Sequence, residues 1–203
     1  MPLKEIIKKN LKKNLKKNLK KNIKKIFFLL IVYVIYVNAF NGYIEYLPTI
    51  PIYPNSKNEV KELKEIIKSR TQQDVDFFYL TNNSVVEAFI PHVKEEKEEL
   101  HKILISHNYI IYFLKYTINR PRPNQIDPTI KPLNIETAQT PAYPAGHSYQ
   151  AYLLYKELSK RHPEKEKSLK EIALRCDECR VKAGLHYPSD GIFSRKIVDI
   201  LKG

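Results

Sequence analysis

The sequence predicts an all-α protein in which a helical domain follows a basic arm and an apolar anchor helix. Long stretches are rich in Leu, Ile, Lys and Glu, which are residue types found often in helices. Apolar residues recur three and four positions apart, and the strict alternation typical of half-buried strands is rare. The 203 residues are 43% hydrophobic and 28% charged, a composition that indicates a folded domain.

Residues 1–25 form a Lys-rich, low-complexity arm. From Leu11 onward the arm repeats a four-residue unit, "LKKNLKKNLKKNIKKI". The arm contains 11 Lys and one Glu, so it carries +10 of the net charge of +13. A nucleic-acid-binding domain normally carries its basic surface on the folded part, and we therefore expect no nucleic-acid partner. The arm is either a solvated tail or a segment that lies on anionic lipid.

Residues 26–45 are predicted to be an apolar membrane anchor or a signal segment. The stretch "IFFLLIVYVIYV" at 26–37 carries no charge, but a full membrane span needs about 20 residues. Extension to residue 45 favours a signal anchor, whereas Val37-Asn38-Ala39 resembles a signal cleavage site; a buried core helix is a third interpretation. The Lys excess predicts a single-pass protein with a cytoplasmic N-terminus and its folded domain across the membrane. Cleavage would instead give a secreted protein.

Residues 46–57 are predicted to be an extended linker, because three prolines fall within residues 48–54. The folded domain is predicted at residues 58–203. Apolar residues at helical spacing, such as Ala151, Leu154 and Leu158, predict its helices. These predicted helices span residues 58–69, 74–90, 94–118, 147–160, 164–182 and 190–202.

The two cysteines, Cys176 and Cys179, form a single Cys-x-x-C motif. A structural zinc site needs about four ligands, and the chain contains no second cysteine pair. We therefore expect two buried thiols in a helix and no metal site.

Basic residues cluster where the helix predicted at 94–118 ends. In "KYTINRPRP", six residues separate Lys115 from Arg122-Pro123. Arg offers a planar fork of donors to an oxyanion and Lys offers a point charge, while the two prolines stop the helix and stiffen the turn. The alternative is that both cations are ordinary partners of the helix dipole.

A turn precedes the helix predicted at 147–160, in "YPAGHSYQAYLLY". Pro144 and Gly146 favour a tight turn, and His147 opens the helix. N–H groups at a helix start bind anions, and Gly lets a ligand approach the backbone closely. His147 would then be placed to give a proton to the group that the anion esterifies. The alternative is a polar residue with no role.

The stretch "RVKAGLHYPSDG" at residues 180–191 combines a cation, an imidazole and a carboxylate. Arg180 adds a third cation to the two at the first motif. Asp190 can accept the Nδ1–H of His186, which would leave Nε2 as a nucleophile or base. Alternatively, Asp190 is only the N-cap of the last helix. Three flanking tyrosines are candidate pocket residues: Tyr143, Tyr149 and Tyr187.

Taken together, Lys-x6-Arg-Pro, Pro-x-Gly-His and Arg-x5-His-x3-Asp resemble the motifs of the type 2 phosphatidic acid phosphatase and vanadium haloperoxidase superfamily, and they occur in this order within residues 115–190. The resemblance implies a catalytic domain at residues 58–203 with that superfamily's helical bundle. It implies hydrolysis of a phosphomonoester or a lipid phosphate through a phosphohistidine, with no metal and no cofactor. The implied catalytic residues are His186, His147 and Asp190, and the implied phosphate-binding residues are Lys115, Arg122, Arg180 and Gly146.

Two positions depart from the family pattern, since the family usually has Ser where Ala145 and Cys179 stand. The missing hydroxyl at position 145 is expected to weaken anion binding rather than abolish it. Because the same pocket can hold vanadate in this superfamily, one alternative function is a vanadium-dependent haloperoxidase, although such enzymes are much longer chains. A second alternative is a catalytically silent, membrane-tethered binding or structural protein.

Overall fold

The computed structural model describes residues 22–33, 53–134 and 136–202 of the chain. Within these ranges the regular secondary structure is entirely helical, which confirms the predicted all-α class. The chain divides into two compact units, Met1–Gly42 and Tyr43–Gly203.

The first unit contains helix α1 at residues 22–33. Its apolar side chains are exposed, and Phe28 and Leu29 are each 64% accessible. No helix among the described residues combines the length and the apolar character that crossing a membrane requires. Residues 1–21 of the predicted arm, 34–45 of the predicted anchor and 46–52 of the predicted linker lie outside the described residues. The anchor therefore stays a prediction.

The second unit is built from helices joined by turns and, between α7 and α8, by the longer segment at residues 127–145. Three 3-10 turns, at Ile90–His92, Glu136–Ala138 and Pro163–Lys165, interrupt the α-helical order. The α-helices of its described residues are α2 Ser56–Lys68, α3 Gln72–Leu80, α4 Val86–Phe89, α5 Lys97–Ile105, α6 Asn108–Ile118, α7 Pro123–Ile126, α8 Gly146–Arg161, α9 Glu166–Lys182 and α10 Pro188–Lys202.

Side-chain caps fix where the first two of these helices begin. The side-chain oxygen of Asn55 accepts hydrogen bonds from the amides of Lys57 and Asn58, so α2 starts at Ser56, inside the stretch predicted as linker. Thr71 and Asp74 form a reciprocal capping box at the start of α3. Each cap satisfies backbone donors that the helix itself leaves unpaired.

The single helix predicted at residues 74–90 is wrong, because α3 ends at Leu80 and the short α4 begins only at Val86. Thr81 leaves the helix with its hydroxyl bonded back to the Phe77 carbonyl at 2.8 Å. This break places Thr81 and Asn82 against the guanidinium of Arg180, a long-range contact that apolar periodicity does not reveal.

The single helix predicted at residues 94–118 is also wrong, because it is two helices, α5 and α6. The Ser106 hydroxyl donates to the Ile103 carbonyl at 2.8 Å, and His107 Nδ1 lies 3.0 Å from the same oxygen. Side chains that bond to carbonyls of the preceding turn compete with helical hydrogen bonds, and the chain turns here. The sequence analysis also missed the short helix α7.

Helix α8 runs through the main hydrophobic core and packs against α9 and α10. Leu153, Leu154 and Leu158 are fully buried, together with Phe89 of α4 and Leu100 of α5. Full burial of such a side chain stabilises the fold by about 1.5–3 kcal/mol relative to exposure. The core thus holds α8 rigidly, and the first turn of α8 carries the second motif.

Hydrogen bonds join the turn before α8 to α10. The Ala145 amide donates to the Asp190 carbonyl at 3.3 Å, and the Ser194 hydroxyl donates to the Ala145 carbonyl at 2.9 Å. The buried Asp177 of α9 accepts hydrogen bonds from Ser148 of α8, at 2.6 Å, and from Arg195 of α10. These contacts link α8, α9 and α10 at the end where the motifs meet.

Candidate active site

The three sequence motifs meet at one cavity of about 110 Å³ in the second unit. All but one of the predicted site residues line it, and the exception, Asp190, lies behind His186. The predicted residues at the wall are Lys115, Arg122, Gly146, His147, Arg180 and His186. The described residues that line the cavity include three cations and no carboxylate, so it is suited to an anion.

Lys115 and Arg122 enter the cavity from the end of α6 and the turn that follows it. Both are buried, at 4% and 5% exposure. Lys115 Nζ donates to the Pro141 carbonyl at 2.5 Å, and Arg122 donates to the carbonyls of Thr140 and Leu185 at 2.9 and 2.7 Å. Burial, and next the charge of Arg122, hold the pKa of Lys115 well below its ordinary value.

His186 makes the hydrogen bond to Asp190 that the spacing predicted. Its Nδ1 lies 2.9 Å from Asp190 Oδ2, and its Nε2 lies 2.9 Å from Arg122 Nη1. A guanidinium only donates, so Nε2 is the acceptor and the proton of the neutral ring is on Nδ1. Burial and then the charges of Arg122, Lys115 and Arg180 hold the pKa of His186 well below its ordinary value. The unprotonated Nε2 is therefore the resting form.

Asp190 is fully buried and accepts three hydrogen bonds. Besides His186, its donors are Arg120 Nη1 at 2.6 Å and the Tyr187 amide at 3.0 Å. Burial raises the pKa of Asp190, and the Arg120 guanidinium opposes that effect by stabilising the carboxylate. Asp190 lies in the first turn of α10, which begins at Pro188, so it is not the N-cap residue. Its side chain orients His186 and also accepts from the Tyr187 amide just before the helix.

His147, in the first turn of α8, has the opposite tautomer. Its Nε2 lies 3.0 Å from the Asn82 carbonyl oxygen, which only accepts, so Nε2 carries the proton and Nδ1 carries the lone pair. Burial, and next the charge of Arg180, hold the pKa of His147 well below its ordinary value. An anion in the cavity would offset the surrounding positive charge and raise the pKa of this imidazole.

Arg180, from the last turn of α9, is held by the break between α3 and α4. Its Nη2 donates to the Thr81 carbonyl at 2.5 Å, its Nη1 reaches Asn82 Oδ1 at 3.3 Å, and its guanidinium lies over the Phe78 ring. Its Nε is buried without a hydrogen-bond partner among the described residues. The cation is therefore positioned rigidly, with one donor that the protein leaves unsatisfied.

Gly146 begins α8 and lines the cavity beside Lys115. A Cβ built at this position would lie 3.7 Å from Lys115 Cε, which is ordinary van der Waals contact. Packing within the protein therefore does not demand glycine here. The open space over its backbone belongs to the cavity, which supports the expectation that a ligand approaches the start of α8 closely.

Arg120 is the main site residue that the sequence analysis missed. It is completely buried and donates to Asp190 Oδ1 and to Glu59 Oε2, both at 2.6 Å. Its guanidinium also stacks on the Tyr187 ring, 3.8 Å from the centroid. The doubled Arg-Pro in "RPRP" is a sequence signal for this arginine, but no sequence pattern links Glu59 or Asn82 to the site.

Other predictions about the site have mixed outcomes. The two cysteines are free and buried, as predicted. The three candidate tyrosines do not line the cavity: Tyr143, Tyr149 and Tyr187 are core side chains, at most 3% exposed. Ala145 is the N-cap residue of α8 and makes no side-chain hydrogen bond to the helix. Among the described residues, no three His, Cys, Asp or Glu side chains are grouped so as to hold a metal ion.

No family model matches the chain, and no curated protein matches it. Membership of the phosphatase superfamily therefore stays a prediction from the three motifs. The geometry adds that these motifs lie around one cationic cavity, with two imidazoles on its wall.

Proposed function

We propose that the chain is a metal-independent phosphatase of the type 2 phosphatidic acid phosphatase superfamily, hydrolysing a phosphomonoester or a lipid phosphate through a phosphohistidine. The observation that carries the proposal is the state of His186. Its Nδ1–H is fixed on Asp190 and its unprotonated Nε2 lies on Arg122, in a cavity lined by three cations and a second imidazole. A binding protein without catalytic activity would not require a histidine whose unprotonated Nε2 faces the cavity.

In the first step, the phosphoryl group enters the cavity and its oxygens bind Lys115, Arg122, Arg180 and the start of α8 at Gly146. Arg122 then donates to phosphate oxygens and releases His186 Nε2. The Nε2 lone pair attacks phosphorus, the bond to the ester oxygen breaks, and that oxygen takes a proton from His147. Nδ1 of His147 takes up this proton from solvent when the substrate binds, because the bound anion raises the pKa of the imidazole. Positioning and charge stabilisation supply most of the catalysis in such a transfer.

In the second step, water attacks the phosphohistidine. His147, now neutral, accepts the proton of the water as its oxygen bonds to phosphorus, and the bond between phosphorus and Nε2 breaks. Asp190 keeps the Nδ1–H in place throughout, so the ring returns to its starting tautomer. Inorganic phosphate leaves, and its departure lowers the pKa of His147 again. Division of one hydrolysis into two displacements is the usual advantage of a covalent nucleophile.

Hydrolysis of a soluble chromogenic phosphomonoester by the full-length protein tests this proposal. We expect activity that is unchanged by excess chelator and inhibited by vanadate, because vanadate is a transition-state mimic for the same cationic cavity. Loss of activity on addition of chelator would reject the metal-free scheme. Halide oxidation that requires added vanadate and peroxide would favour the haloperoxidase alternative instead.

The activity is expected to persist into acidic solution. The reaction needs a neutral His186, and the pKa of this imidazole lies well below its ordinary value because it is buried among cations. Protonation therefore begins only below about pH 6.5, and kcat/KM should hold at pH 6.5 and fall at lower pH. Arg122→Gln removes one of those charges, so its acid limb should move to higher pH.

The pH dependence of kcat/KM for both proteins, measured with one substrate, checks this expectation. Ionisation of the substrate affects both profiles equally, so the difference between them reports the enzyme. Two results contradict the assignment of the acid limb to His186. One is a wild-type kcat/KM that already decreases as the pH is lowered towards 6.5, and the other is an acid limb that does not move in Arg122→Gln.

A further inference from the structure

The exposed side of α6 carries three aromatic side chains next to one another, which we call the α6 aromatic face: Tyr109, Tyr112 and Phe113. They are 70%, 51% and 64% exposed. Their spacing of three and four residues puts them on one side of the helix. Clustered large apolar side chains in water usually mark a binding surface.

The α6 aromatic face adjoins the mouth of the active-site cavity. Tyr112 belongs to both, since it lines the cavity and is half exposed. Asn108, one turn earlier, and Lys115, one turn later, line the same cavity from the same helix. A partner that covers the face would therefore lie against the opening through which a ligand reaches the cations.

The size of the face argues against a protein partner. Taking about 200 Å² for each aromatic side chain, the three together expose roughly 400 Å². A stable protein interface buries about 800 Å² on each partner, and half of that does not support a dimer. A helix that lies in the surface of a bilayer, in contrast, buries only one apolar face, to a depth of about 5–10 Å.

Charge and side-chain chemistry favour a lipid surface. Residues 100–126, which include all of α6, contain no Asp or Glu, and their one exposed basic side chain is Lys102, since Lys115, Arg120 and Arg122 are buried. A segment without carboxylates meets no repulsion from anionic headgroups, and basic residues near them are attracted. Tyr rings combine an apolar body with a polar hydroxyl, which is why they are enriched where a bilayer meets water.

We propose that the α6 aromatic face docks on the surface of an anionic lipid bilayer, with the mouth of the cavity at the level of the headgroups. This contact is separate from the N-terminal anchor predicted at residues 26–45. Docking does not depend on phosphatase activity; its consequence for access of membrane-borne phosphate esters to the cavity rests on the proposed function.

The absence of tryptophan from the chain allows a direct test with single-tryptophan variants of the full-length protein. Phe113→Trp places the probe on the face, and Tyr79→Trp is the matched control, because Tyr79 is 53% exposed on α3. Both variants would carry the same N-terminal segment. The membrane is supplied as vesicles of phosphatidylcholine and phosphatidylserine with brominated acyl chains, and bromine quenches the fluorescence of a tryptophan that enters the bilayer.

We expect a blue shift and bromine quenching for Phe113→Trp that exceed those of Tyr79→Trp by about two-fold or more, since only the inserted ring leaves water. Equal quenching of the two variants, or none, would overturn the proposal. A blue shift that appears without vesicles and grows with protein concentration would also overturn it, because a second copy of the chain would then cover the face. Fluorescence is independent of turnover, so this result and the phosphatase assay can fail separately.

Discussion

Replacing His186 by alanine is expected to lower kcat for phosphomonoester hydrolysis by at least about 10⁴-fold, because it removes the atom that forms the covalent intermediate. The full-length wild type, mixed with a labelled phosphomonoester and quenched in denaturant, should carry acid-labile, base-stable label on one histidine. His186→Ala should carry none. Steady-state rates and the quenched label measure the two effects.

The matched control is His162→Ala. His162 is also a partly buried imidazole with a carboxylate partner, Glu95, at 2.9 Å, but it does not line the cavity. Its replacement should leave kcat within about two-fold, as expected of a substitution that touches no reacting group. A labelled, active His186→Ala protein would refute the assignment of the nucleophile.

Replacement of the second imidazole separates the two proposed steps. His147→Ala should slow hydrolysis of an alkyl phosphate by about 10²- to 10⁴-fold, because the alkoxide then leaves without a proton. A nitrophenyl ester needs no such proton, so its first step should survive. We then expect a burst of nitrophenol equal to the enzyme concentration, followed by slow turnover, since the water also loses its base. Equal slowing of both esters without a burst would contradict this role.

Replacing Arg120 by alanine is expected to have the largest effect on stability, lowering the free energy of unfolding by about 3–5 kcal/mol. Arg120 lies at 0% exposure between Asp190 and Glu59, at 2.6 Å from each. Its removal leaves two buried carboxylates without their cation. Urea denaturation followed by circular dichroism measures the change.

Arg161→Ala is the matched control for stability, since Arg161 pairs with Glu99 at the surface and is 41% exposed. An exposed pair contributes less than about 1 kcal/mol, and an equal loss in the two variants would contradict the role given to Arg120.

Arg120→Lys keeps the charge but loses the fork that spans both carboxylates. Because Arg120 does not line the cavity, Arg120→Lys should lower kcat by disturbing Asp190 and leave KM unchanged. A rise in KM alone would show direct contact with the substrate.

The local order of the motifs was predictable because each follows from backbone geometry over a few residues. His186 lies just before α10 and Asp190 lies in its first turn, so the short spacing brings the two side chains together, and the hydrogen bond is present at 2.9 Å. Gly146 and His147 begin α8 where the Pro and Gly of the turn predicted a helix start. Apolar periodicity likewise predicted α2, α8, α9 and α10 closely.

Long-range contacts account for what the sequence analysis missed. Thr81 and Asn82 interrupt a periodic apolar stretch because their polar groups bond to Arg180, 99 and 98 residues away. Glu59 carries no local signal, yet it forms an ion pair with Arg120, which in turn pairs with Asp190. Asp190 accepts the hydrogen bond from His186. The tautomer of His147 depends on the Asn82 carbonyl, an atom that every residue type possesses and no sequence pattern marks.

By itself, the sequence determined the all-α class, the separation of a basic N-terminus from a nearly neutral body, and the residue types available for phosphate chemistry. It did so because helical periodicity, charge and motif spacing are properties of neighbouring residues. Only the tertiary structure decided that Lys115, Arg122, Arg180 and the two imidazoles share one buried cavity, and which nitrogen of each ring carries the proton. The physical reason is that burial and hydrogen-bond partners, which set protonation, come from segments far apart in the chain.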